Sequence, residues 1–130
     1  MIDHVGLRVA ALDRARAFYD EALKPLGMSV LIEVDEQQTG GRGGHLGYGR
    51  DGKPDFWVGT GGPAVSGVHV ALAAADRATV DAFHAAALKA GGRDNGAPGL
   101  RPEYHPGYYG GFVLDPDGNN IEAVFHGAAG

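Results

Sequence analysis

Cysteine is absent from the 130 residues, which excludes disulfides, thiolate metal sites and a cysteine nucleophile. No block of Lys or Arg occurs, and the formal net charge is −5. An acidic chain without a basic patch is a poor partner for nucleic acid or an anionic membrane. Long hydrophobic runs are missing too: the longest lies near residues 70–75, far short of the ~20 residues of a membrane helix. The opening Met1-Ile2-Asp3-His4 lacks the charged-then-apolar layout of a secretory signal and reads as a strand. A cytoplasmic protein that handles a small molecule is the expectation. Hydrophobic content of 44% and charged content of 21% suit one globular domain. Glycine is in excess, at 23 residues, most of them within 40–52, 59–67 and 91–111. Such clusters mark turns and loops.

The chain contains a repeat. Sliding it against itself by 65 residues, half its length, lays His4 on His69, Val5 on Val70 and Leu7 on Leu72. The same shift aligns Ala17-Phe18 with Ala82-Phe83, Ala22-Leu23-Lys24 with Ala87-Leu88-Lys89, and Gly27 with Gly92. Each half, about 1–62 and 63–130, opens with an alternating stretch (2–9 and 68–74) that predicts a half-buried strand. An Asp suited to cap a helix follows each stretch, Asp13 and Asp76. Two amphipathic helices are expected to run to about Lys24 and Ala90, closed by Pro25 and Gly91. Three shorter strands follow in each half, near 28–35, 43–49 and 55–59, then near 93–95, 110–115 and 120–126. Asp51-Gly52 and Asp117-Gly118 are tight-turn dipeptides between the last two of each set.

Side chains alternate faces along a strand. With Val5, Leu7 and Val9 packed on helices, His4, Gly6 and Arg8 take the opposite face. The duplicate places His69 likewise, and Ile121, Ala123 and Phe125 inward leave Asn120, Glu122 and Val124 on the uncovered side. Two sheets curling together would line a cleft with His4, His69 and Glu122. Two imidazoles and a carboxylate can hold one divalent ion (Fe, Zn, Mn, Ni or Co) with coordination positions left open. A substrate with two adjacent oxygens could chelate such an ion. A single strand histidine is more often a structural group; the three residues together at duplicated positions favour a metal.

His4-Val5-Gly6-Leu7-Arg8-Val9, Gly67-Val68-His69-Val70-Ala71-Leu72 and Asp115-Pro116-Asp117-Gly118-Asn119-Asn120-Ile121-Glu122 resemble the vicinal oxygen chelate superfamily of glyoxalases, bleomycin-resistance proteins and dioxygenases. The resemblance implies an α+β fold of two βαβββ modules. They would form a curved, barrel-like mixed sheet with helices outside and metal ligands on the first and last strand of each module. It also implies a homodimer, because modules in this superfamily pair within a chain or across subunits. The activity implied is lyase, isomerase or dioxygenase chemistry on a small oxygenated substrate; the alternative is a drug- or metabolite-binding protein without catalysis. The fourth ligand position departs from the family pattern: the 65-residue shift puts Trp57 where a glyoxalase I carries a ligand. An indole cannot ligate a metal, which argues against glutathione-dependent glyoxalase I activity.

Trp57, Arg8 and Arg101 are candidate substrate contacts, by stacking and by binding an anion. Tyr109 and His105, in the aromatic stretch 101–109, are candidate proton donors or acceptors; a rigid surface turn explains that stretch nearly as well. His45, His84 and His126 have no assigned partner, and a surface role is the default for His84.

Overall fold

The computed structural model describes residues 1–127; the last three residues of the second half lie outside the described residues. The first half runs β1 (Val5–Arg8), α1 (Leu12–Ala22), a 3-10 turn (Lys24–Leu26), β2 (Ser29–Val34), β3 (His45–Arg50) and β4 (Lys53–Gly59). The second runs β5 (His69–Ala73), α2 (Arg77–Lys89), β6 (Arg93–Leu100), β7 (Tyr108–Leu114) and β8 (Asn120–His126). Each half makes a four-stranded mixed sheet, ordered β1-β4-β3-β2 and β5-β8-β7-β6. This is the expected α+β pair of βαβββ modules. The expected barrel is open, however: the strands form two separate sheets and do not close.

The repeat holds residue by residue. Parallel pairing matches Val5 with Phe56 and Gly6 with Trp57 in the first sheet, and Val70 with Ile121 and Ala71 with Glu122 in the second. Antiparallel pairing matches Gly47 with Trp57 and Phe112 with Glu122. Every one of these pairs moves by 65 residues, so Trp57 is the counterpart of Glu122.

Alternation sends one face of each sheet to the helices. Leu7, Val9, Tyr48, Phe56 and Val58 pack under α1 through the fully buried Phe18 and Tyr19. Val80, Phe83 and Ala87 of α2 bury Val113, Ile121 and Ala123. The helices also touch each other, and α2 reaches the 3-10 turn of the first half. Gly92 admits Phe18 between the modules: a Cβ there would stand 2.7 Å from the ring.

Several element ends differ from expectation, each for a local reason. Residues 2–4 stay outside β1 because its ladder with β4 begins at Val5 and Phe56. Ala11, without a side-chain bond, occupies the N-cap of α1, and Asp13 instead sits in the first turn, where its charge suits the helix dipole. Asp76 does cap α2, accepting from the Thr79 N–H at 2.7 Å. Pro25 lies inside the 3-10 turn, which Gly27 ends in the left-handed region at φ 76°. The strand expected at 93–95 extends to Leu100 despite Gly96, Pro98 and Gly99. It is an edge strand with two register shifts, where proline is tolerated.

Candidate active site

The β7–β8 turn is structural cement. Asp115 accepts from the N–H groups of Asp117 (2.9 Å) and Asn119 (2.8 Å) through Oδ1. Its Oδ2 accepts from the Tyr19 hydroxyl of α1 and from Asn119 Nδ2. Asn119 Nδ2 also reaches the Val65 carbonyl at 3.2 Å, and Arg14 pairs with Asp117 at 3.1 Å. Asp115 and Asn119 are buried. The most distinctive motif in the sequence therefore joins the two modules and aims β8.

On β8, two residues past that turn, stands Glu122, a carboxylate with 0% exposure. Its Oε1 accepts from His69 Nε2 of the neighbouring β5 at 2.9 Å, and its Oε2 accepts from the Tyr108 hydroxyl of β7. Gly110 makes room for this contact; a Cβ there would lie 3.0 Å from Glu122 Oε2 and 3.1 Å from the Tyr108 ring. Burial, the hydrogen bond to Glu122 and its charge push the Tyr108 phenol well above its usual range. Tyr108 therefore keeps its proton at neutral pH and donates it to the carboxylate. The His69 side chain is half exposed and its ring stands near Phe112. Asn120, paired in register with His69, carries a buried Oδ1 with no hydrogen-bond partner among the described residues.

The other predicted residues fall into separate groups. His4 is exposed and bonds Asp3 through Nδ1 at 2.8 Å. It borders a cleft of about 370 Å³ shared with His69, Asp55 and Phe56. Among the described residues no three His, Asp or Glu side chains converge as a metal site within one chain. Arg8, His4, His45 and Trp57 line a second cleft of about 290 Å³ on the first sheet. Arg101 donates to the Ala97 carbonyl at 2.6 Å and lies over the Phe112 ring, beside Asn120. His105 Nε2 stands 2.8 Å from His126 Nδ1, and the Gly107 N–H donates to His105 Nδ1. That fixes the neutral tautomer: His105 donates and His126 accepts. Tyr109 turns to the helix side, where its hydroxyl donates to Asp81 at 2.7 Å and Arg77 covers its ring. Its neighbour Tyr108, which the sequence reading passed over, is the tyrosine at Glu122. His84 is nearly buried on α2 and pairs with Asp94 at 3.0 Å.

The donor set at Glu122 has the chemistry of half a metal site. One imidazole, one buried carboxylate and an orphaned amide oxygen lie on adjacent strands, and hard or borderline divalent ions take such donors. His69 and Glu122 would hold the ion, with Tyr108 orienting the carboxylate from outside.

The sequence profile of the Glyoxalase/Bleomycin resistance protein/Dioxygenase superfamily matches residues 1–123. Among solved structures, a glyoxalase/bleomycin resistance protein from Albidiferax ferrireducens T118 is 30% identical, covering 96% of this chain and 98% of that one, with a TM-score of 0.76. A Frankia sp. EAN1pec domain of the same description has the same fold at 16% identity, 98% coverage of both chains and a TM-score of 0.72. Glyoxalase I from Zea mays superposes with a TM-score of 0.69 at 22% identity. This chain covers 44% of the maize protein, while 98% of this chain is matched. No curated protein matches the sequence. Among the described residues no helix is long and apolar enough to cross a membrane. With its profile match and its paired βαβββ modules, the chain belongs to the glyoxalase/bleomycin resistance protein/dioxygenase superfamily.

Proposed function

We propose that the protein is a metal-dependent enzyme acting on a small oxygenated substrate, with His69 and Glu122 of one chain and His4 of a second copy as ligands. The carrying observation is the buried Glu122 carboxylate, bonded on one oxygen to His69 and on the other to Tyr108. Burying a carboxylate costs several kcal/mol unless it is compensated. The half-exposed His69 lets an ion reach this pair from the open face. His4 supports the dimeric reading because it lies exposed just before the edge strand β1 and, among the described residues of one chain, does not join the other two. A bound divalent ion with open positions would act as a Lewis acid on substrate oxygens.

The chain's own residues supply the rest. Tyr108 holds Glu122 in one orientation and keeps a phenolic proton next to the reacting region. Arg101, held by Ala97 and Phe112, places a fixed positive charge on the same sheet. Trp57 fills the position of a fourth ligand in the first module, so this reading excludes a four-ligand glyoxalase I site. The reaction class that fits is proton transfer (isomerase or lyase) or oxygenation of the substrate. Retention of all three ligand-type residues favours this over ligand sequestration.

Mixing tests the arrangement. His4→Ala and His69→Ala should each lose tight divalent-ion binding as separate homodimers. Unfolded and refolded together, a random mixture should regain about a quarter of the sites, because half the dimers are hybrids and each hybrid has one intact site. No recovery would overturn the shared site, and full binding by either single variant would overturn the ligand assignment.

A further inference from the structure

The first module's open face carries a second, differently built cleft. Two rings lie over glycines of the neighbouring strand in reciprocal fashion. The Trp57 indole of β4 covers Gly47 of β3, where a Cβ would come within 2.8 Å of the ring. The His45 imidazole of β3 covers Gly59 of β4, where a Cβ would come within 1.9 Å. Pairing of His45 with Gly59 and of Gly47 with Trp57 makes the two exchanges neighbours. Gly6, beside Trp57 on β1, keeps that flank low. The result is a floor on which the Trp57 and His45 rings stand side by side.

The walls are basic. Arg8 borders the floor beside Gly59, and its Nη1 donates to the Thr60 carbonyl at 2.6 Å. That single bond aims the guanidinium and leaves its other N–H groups for a ligand. Among the described residues no carboxylate pairs with Arg8. In a chain of net charge −5, none of the cleft's lining residues is acidic: they are His4, Gly6, Leu7, Arg8, His45, Trp57 and Gly59. An unpaired, pre-aimed guanidinium is suited to a planar anion, and an indole face is suited to a flat π-system.

We infer that this cleft binds a flat, conjugated carboxylate, its ring on Trp57 and its carboxylate on Arg8. The inference names the substrate class for the enzyme proposed above and rests on that reading for its catalytic meaning; the binding itself does not require the metal.

Trp57 is the only tryptophan, so its indole N–H gives one NMR signal that reports on the floor directly. Three probes separate the contributions: 2-naphthoate, its neutral isostere 2-naphthamide, and cyclohexanecarboxylate, which has the charge without the flat ring. Titration of the unmodified protein should shift the indole signal with 2-naphthoate. The amide should bind about tenfold more weakly, the range of a lost charge-assisted hydrogen bond, and the cyclohexane acid about fivefold more weakly. Arg8→Gln should bring 2-naphthoate to the affinity of the amide. Metal-stripped unmodified protein should retain 2-naphthoate binding, which keeps this test apart from the metal reading. Equal affinity for naphthoate and naphthamide, or no indole shift at millimolar probe, would overturn the inference on the unmodified protein, whatever the variants do. Binding that vanishes on metal removal would also overturn it, since the carboxylate would then be held by the metal and not by Arg8.

Discussion

At the centre of one open face an indole, Trp57, lies across Gly47; at the same place in the other a carboxylate, Glu122, stands beside Phe112. Two positions along, His45 covers Gly59 in the first module, while the second has Gly110 opposite Val124. In the second place large and small have changed strands between the modules; in the first, one large ring beside a glycine is replaced by two side chains of intermediate and large size. Total volume on each face is roughly kept while the chemistry is inverted. The first module became a basic floor, and the second a buried acid with an imidazole and a phenol on its oxygens. Duplication supplied one backbone register; the side chains on it then diverged as pairs that roughly keep the combined volume.

Forcing one module to copy the other should expose that compensation. Glu122→Trp puts an indole where Phe112 already stands, and overpacking of this kind costs about 3 kcal/mol. Adding Phe112→Gly should recover about 1–2 kcal/mol, a coupling that a denaturant double-mutant cycle would measure. Additive effects would break the comparison.

The β7–β8 turn bonds across the module boundary and its counterpart does not. Asp115→Ala leaves the Tyr19 hydroxyl and two backbone N–H groups without their acceptor and should cost about 3 kcal/mol in urea unfolding. Arg50→Ala, at the equivalent position, loses only a long 3.3 Å bond to the Leu26 carbonyl and should cost below about 1 kcal/mol.

Alkali should weaken the same joint. Burial, then the charge of Asp115, holds the Tyr19 phenol well above its ordinary value. The unfolded chain releases that proton near pH ~10, so this contribution is complete below pH ~10 and falls as pH rises further. Urea unfolding of Tyr19→Phe should show a shallower loss of stability above pH ~10 than the unmodified protein; an unchanged slope would place the sensitivity elsewhere. The smallest effect belongs to the turn tips. Gly52, at φ 81° with open space around it, should tolerate Ala at a cost of about 1 kcal/mol. Gly118, at φ 91° with Ser66 Oγ 2.7 Å from a built Cβ, should cost more. Thermal unfolding distinguishes the two.

Most of the architecture was legible because the 65-residue repeat and strand alternation reinforce each other. The repeat carried further than local composition. Shifting 43–49 by 65 gives 108–114, the observed β7, whereas glycine and tyrosine content suggested a start at Gly110. That two-residue difference left Tyr108 and Tyr109 both in a loop, where alternation assigns no face to tell them apart. β6 was obscured in the same way by Gly96, Pro98 and Gly99, although β2 shifted by 65 overlies it. Alternation placed Glu122 and His69 on the same uncovered face; their direct bond depends on the β5–β8 register. The role of Asp115 as inter-module cement was not readable, since it depends on Tyr19, far away in sequence.

On the proposed function, Glu122 is buried to hold a metal. Calorimetric titration of cobalt(II) into metal-stripped protein, with and without Glu122→Gln, tests it most directly. The account predicts about one ion per chain for the unmodified protein and a loss of at least ~100-fold in affinity for the variant, beyond the 10–100-fold typical of residues outside the ligand shell. Equal cobalt affinity in the two proteins, or no binding in either, would contradict it.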